Sequence, residues 1–226
     1  MKKNICILNI ETTTKNCSVS ISNNGQSLYC KEIATQGYSH AEFLHQFIQE
    51  CLNKTNLRFS DLDAVAVSQG PGSYTGLRIG VSAVKGLCFV LQIPLIAIDT
   101  LKILAMQKKI EKGLIIPMID ARRMEVYSAV FDVDFQKIRA VEAQIIDENS
   151  FENHTDNLYI IGDCQEKIQS VLSKNNFIFD QSIQFPSANE MALLGFEKYK
   201  NNDFVDVAYF EPYYLKDFLI LKPQAQ

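Results

Sequence analysis

Residues 68–92 constrain this chain more than any other stretch, because they join a glycine-rich turn to a helix with more apolar surface than one core face can cover. Ala64-Val65-Ala66-Val67 reads as a short strand of buried type, and Gly70, Pro71 and Gly72 after it permit a tight turn with free backbone N–H groups. A helix N-terminus behind such a turn can hold phosphate. Known phosphate and nucleophile signatures do not fit, however. The Gly-Lys-Ser/Thr ending is missing, Gly-x-Gly-x-x-Gly is not matched, and Ser73 follows Gly72 directly where a nucleophile elbow needs a residue between.

The helix expected over 75–91 carries two apolar stripes. Leu77, Val81, Val84, Cys88 and Leu91 form one, and Ile79, Ala83, Gly86 and Val90 form another nearly opposite. With Gly80 and Leu87 bridging them, the apolar arc covers roughly 220°, about twice what a surface helix needs for its home core. Arg78, Ser82, Lys85 and Gln92 make a polar seam that Phe89 interrupts. A helix internal to its own domain would have this composition; so would a helix with one face on its sheet and the other on another subunit. An earlier helix, expected over 39–54, opens on the capping box Ser39-x-x-Glu42 and continues with Phe43, Leu44, Phe47, Ile48, Cys51 and Leu52. Together the two helices could present one joint surface.

The 226 residues are 47% hydrophobic, enough for a full core and better suited to two small domains than one. A net charge of −4 leaves no overall footprint for nucleic acid, and the basic clusters Lys108, Lys109, Lys112 and Arg122, Arg123 read as solvated surface. The start Met1-Lys2-Lys3 leads into an apolar run too short for a signal sequence, and no apolar run is expected to span a bilayer, so the chain is expected in the cytoplasm. Six widely spaced cysteines, at 6, 17, 30, 51, 88 and 164, read as small buried hydrophobes. His40 and His45 diverge by about 140° on a helix, which does not suit a shared metal. His154 has no assigned role.

Strands are expected at 4–10, 17–22 and 27–33 with a hairpin turn at Asn23-Asn24-Gly25, then helix 39–54, strand 63–68, helix 75–91, strand 94–98 and a short helix near 100–110. The pattern then restarts with strands at 114–119, 125–131 and 137–146, followed by strand 158–161 and helices 164–174 and 187–200. Ile7-Leu8-Asn9-Ile10-Glu11-Thr12 before Ser18-Val19-Ser20-Ile21 echoes Ile116-Pro117-Met118-Ile119-Asp120-Ala121 before Tyr127-Ser128-Ala129-Val130 at one constant offset. A duplicated mixed α/β fold follows, with domains expected at 1–105 and 106–226. In two-domain nucleotide-binding folds the acidic turns at Glu11 and Asp120 would face phosphate and magnesium. Glycine is absent from both turns, and Glu11 is one methylene longer than Asp, which points to a structural remnant.

These segments carry a resemblance. Ile7 to Thr14, Ser68 to Gly80, Asp120 to Tyr127 and Pro212-Tyr213-Tyr214-Leu215-Lys216 resemble the TsaB family, dimerisation subunits of the bacterial tRNA threonylcarbamoyladenosine machinery. The resemblance implies a duplicated actin/hexokinase-like (ASKHA) α/β fold and kinship with the catalytic transferase TsaD and with glycoprotease-like proteins. It also implies a non-catalytic scaffold that binds and activates TsaD through a four-helix bundle. The expected contacts are Phe43, Phe47, Leu77, Arg78, Val81, Val84, Lys85 and Cys88, and Glu11, Thr12, Gly70, Gly72 and Asp120 would be vestigial phosphate-loop positions. The ATPase TsaE would join the complex, and tRNA would bind only through it. A homodimer would be open to the isolated chain, and no cofactor or membrane is implied. Catalytic relatives carry a His-x-x-x-His metal site where this chain reads Asp99-Thr100-Leu101-Lys102-Ile103, so no catalytic or metal residue is expected. Glu11 replaces the family's usual Asp, and Lys216 its usual Arg. The rivals are a stand-alone metallopeptidase, which needs ligands the chain lacks, and a sugar-kinase-like ATP-dependent enzyme, which the missing glycines oppose.

Overall fold

The computed structural model describes residues 4–35 and 40–216, which form two five-stranded mixed sheets. The first contains β1 (Cys6–Glu11), β2 (Asn16–Asn23), β3 (Gln26–Ala34), β4 (Ala64–Gly70) and β5 (Leu95–Asp99), in the order β3-β2-β1-β4-β5. The second contains β6 (Leu114–Asp120), β7 (Glu125–Phe131), β8 (Lys137–Ile145), β9 (Leu158–Gly162) and β10 (Phe177–Phe179), in the order β10-β9-β6-β7-β8. In both, the first three strands pair antiparallel, the fourth joins the first in parallel, and the fifth joins the fourth in parallel. The repeat seen in the sequence is thus a repeat of topology, and the fold is the duplicated actin/hexokinase-like α/β type. The expected hairpin turn is present, with Asn24 and Gly25 at φ 49° and 84°, left-handed values that suit a two-residue turn.

All of β1 is buried because both faces of the first sheet are covered. Leu8 and Ile10 face a core closed by α1 (His40–Thr55) and α2 (Tyr74–Leu91), while Ile7 faces a second core on the other side. Alternate strand residues point to opposite faces, so two cores come from one strand. Between the sheets lies α3 (Thr100–Ala105), which sends Ile103 to the first sheet and Leu101, Leu104 and Ala105 to the second. The boundary expected at 105/106 falls between α3 and β6. Across it, α5 (Met191–Lys200) packs Met191 and Leu194 against Ile7 and Ile96 of the first sheet, although it lies late in the chain.

Several elements differ from expectation: the short helix near 100–110 ends at Ala105, and the helix over 187–200 begins at Met191. The helix expected over 164–174 is α4 (Gln165–Gln169), because the chain must turn back early enough for the Asn176 carbonyl to accept from Leu158 N–H at 2.8 Å. Strand β10 was not foreseen; three residues are too few for a period to register. The expectation that no apolar run could span a bilayer also needs correction, since α2 is long and apolar enough by length and composition. One face of it nevertheless lies in the first core. The capping-box residue Ser39 lies outside the described residues.

Candidate functional site

The glycine loop is seated directly on the turn that follows β1. Ser73 N–H donates to Thr13 O at 2.7 Å, and Thr12 Oγ1 donates to Gly76 O at 2.8 Å. A Cβ at Gly72, Gly76 or Gly80 would collide with Thr13, the Thr12 carbonyl or the Thr12 hydroxyl respectively. The three glycines, four residues apart on one face, therefore let the loop and the first turns of α2 close onto the 12–14 backbone. Ser73 caps α2 by accepting from Gly76 N–H at 3.2 Å. Gly76→Ala is expected to destabilise by about 2 kcal/mol, as overpacking against backbone that cannot give way typically does; equilibrium urea unfolding would read it.

This seating places the expected phosphate-loop positions differently from one another. Glu11 and Thr12 are 0% and 1% exposed and face inward. Glu11 Oε1 accepts from both Thr13 N–H and Thr13 Oγ1 at 2.5 Å. Burial outweighs these bonds and pushes its carboxyl up to about 7. Gly70, at φ 113°, is buried against the Tyr213 carbonyl. Of the five positions, Gly72 and Asp120 alone line the cleft between the two halves.

That cleft, of about 500 Å³, has Thr13, Thr14, Lys15 and Ser73 on one wall and Ile119, Asp120, Arg122 and Asp163 on the other. Asp120 is engaged on several sides. Its N–H donates to Asp163 Oδ1 at 2.8 Å, and its carboxylate accepts from Arg122 N–H and pairs with Lys167. Burial raises Asp163 to about 6. His40, 1% exposed at the start of α1, bonds the Thr14 carbonyl at 2.7 Å, and burial lowers its pKa. It holds the turn from behind. His45 is exposed on α1.

Five of the eight expected partner contacts, Phe47, Leu77, Val81, Val84 and Cys88, are buried within the chain itself. Leu77, Val81, Val84 and Cys88 are 5% exposed or less, and the last three lie in the core that α2 shares with the first sheet. Phe47 is buried too, stacked on half-buried Phe43 at 5.6 Å. Lys85 is drawn aside to the Ala208 carbonyl at 3.0 Å, and Arg78 lies 4.1 Å over the Tyr74 ring. The stripe that α2 offers to solvent is the opposite one. Ile79 and Ala83 are half-buried, Gly86 is open, and Phe89 and Val90 are 72% and 75% exposed. The sequence showed two stripes but carried no signal for which one the sheet takes.

Sequence reasoning also missed the path of the C-terminal segment. Val205 bridges to Leu95, Val207 and Phe210 pack on the first core, and Tyr213 to Lys216 cross the cleft. The 212–216 run was visible as a motif, but nothing in it says what it covers.

Comparison with known proteins adds a family. The family model described as TsaD, tRNA N6-adenosine threonylcarbamoyltransferase, matches residues 32–218. The tRNA threonylcarbamoyladenosine biosynthesis protein TsaB of Bacillus subtilis is 33% identical, with 67% of this chain and 70% of that one covered. The protein of the same description from Haemophilus influenzae is 27% identical over 95% of each chain. The solved structure of YeaZ from Pseudomonas aeruginosa superposes with a TM-score of 0.81 at 25% identity, covering 93% of this chain and all of that one.

Proposed function

The chain belongs to the TsaB family of TsaD-like proteins, and from that premise we propose that it serves tRNA threonylcarbamoyladenosine biosynthesis as a non-catalytic scaffold that binds and activates a TsaD-type transferase. One observation carries the docking role: α2 presents Phe89, Val90 and the small residues Ala83 and Gly86 to solvent while its other stripe is spent on the home core. Large apolar side chains left exposed on one helix favour a protein partner. Small residues beside them allow a second helix to approach closely, and α1 lies next to α2. TsaE would join the assembled pair, and two copies of this chain could pair through the same stripe when the transferase is absent.

Catalytic silence is supported by α3. The segment that supplies metal ligands in catalytic relatives here forms core, with Leu101, Ile103 and Leu104 fully buried and the Asp99 side chain capping the helix at 2.8 Å from Leu101 N–H. Imidazole ligands cannot be assembled from these side chains. Among the described residues no group of three or more His, Cys, Asp and Glu side chains is placed to hold a metal, which weighs against the metallopeptidase reading. The absence of glycine from the turns at Glu11 and Asp120 weighs against the sugar-kinase reading.

Elemental analysis of purified protein is expected to find no stoichiometric zinc or iron. A tightly bound ion that disappears in His40→Ala or His45→Ala would overturn the scaffold reading. Co-purification with the transferase, followed by its activity with and without this chain, tests the role directly: activity independent of this chain would end it.

A further inference from the structure

We propose that Tyr213 to Lys216 form a latch that holds the two halves of the molecule closed over the cleft. The four residues grip both walls in succession. Tyr213 N–H donates to Gln69 O at 2.7 Å, and a Cβ on Gly70 would stand only 2.7 Å from the Tyr213 carbonyl oxygen, so the strand end and the latch are matched by the one residue with no side chain. Tyr214 packs its ring on Tyr74 at 5.0 Å between centroids, and the Arg78 guanidinium lies 4.1 Å from the centre of that same Tyr74 ring. These contacts all belong to the first half. Leu215 then packs against the core of the second sheet, alongside Ile119 and Tyr127, and Lys216 pairs with Glu125 and reaches the Ala121 carbonyl at 3.5 Å.

The hairpin it grasps is a demanding anchor. Arg122 and Arg123 both hold left-handed backbone, at φ 75° and 54°, and the turn is closed by Glu125 N–H to Arg122 O at 3.2 Å. Consecutive non-glycine residues in that region persist only where the surroundings hold them. The latch supplies one of those holds, through Glu125 and Ala121. Because an exposed lysine–carboxylate pair contributes little alone, the grip on the second half rests on Leu215, with Lys216 setting its register. Release therefore frees the hairpin and the glycine loop together, and the halves part by hinge motion about the remaining connections. This inference is independent of the docking reading, since it concerns motion within one chain.

Hydrogen exchange on the full-length protein tests it with one variant on each side. Tyr214→Ala removes contacts with the first half alone, and Leu215→Ala removes packing on the second. A latch couples the walls, so each variant should raise amide exchange more than tenfold in both 69–78 and 121–125, with Lys216→Arg behaving as wild type. Tyr214→Ala should mobilise a hairpin it does not touch. If each variant loosens only the wall it contacts, the segment is a passive tail and the proposal fails. Should Leu215→Ala not fold, the milder Leu215→Val with Tyr214→Ala gives the same two-sided comparison, read against the same criterion.

Discussion

Val81→Glu is expected to unfold the protein, while Val90→Glu, on the same helix, is expected to leave its melting temperature within about 2 °C and abolish association with the transferase. Val81 is 5% exposed within the first core, so a carboxylate there would be buried without a partner, which costs several kcal/mol, on the order of half or more of a typical domain's stability. Val90 is 75% exposed and has nothing to lose in the free chain. In a docked helix pair the same charge would be desolvated, and the penalty would appear as lost affinity. Thermal unfolding and co-purification read the two effects separately. If Val90→Glu still associates, the interface lies elsewhere than the exposed stripe of α2.

Raising the pH from 4.5 to about 7 is expected to cost the folded state about 3 kcal/mol through Glu11 alone, at roughly 1.4 kcal/mol for each pH unit between those values. Below 4.5 both states carry the proton. Between 4.5 and about 7 the folded state keeps it and the unfolded chain does not, so each rise in pH favours unfolding; above about 7 the curve levels. Glu11→Gln keeps a carbonyl for the Thr13 bonds and removes the titration. The variant should therefore lack this slope and exceed wild type in stability at pH 8. Asp163, raised to about 6 chiefly by burial, contributes a decline of the same sign in both proteins and cancels in the difference. Urea denaturation across this range checks the claim, and parallel pH profiles for the two proteins would refute it.

Much of the architecture was legible in the chain itself, and for local reasons. Apolar period and turn residues depend on neighbours in sequence, so the hairpin at Asn24-Gly25, the long helices α1 and α2 and the strand–acidic turn–strand repeat could all be read from order alone. The repeat pointed to a duplicated fold; that both sheets share one strand order came from the structure. The glycines at 72, 76 and 80 were visible too, but their contacts were not: they mark where the loop and α2 come closest to Thr12 and Thr13.

Tertiary structure decided which of α2's two apolar stripes is the surface. Both have similar composition, and the choice depends on which side β4 and α1 occupy, a long-range packing outcome that a helical period cannot encode. The same holds for Glu11, whose altered proton affinity comes from being enclosed, and for Tyr213 to Lys216, whose partners lie far back in the chain at Gln69, Tyr74 and Glu125. Residue order specifies what each segment can form alone; burial and contact across the cleft arise only when distant segments meet, because desolvation and packing depend on neighbours in space.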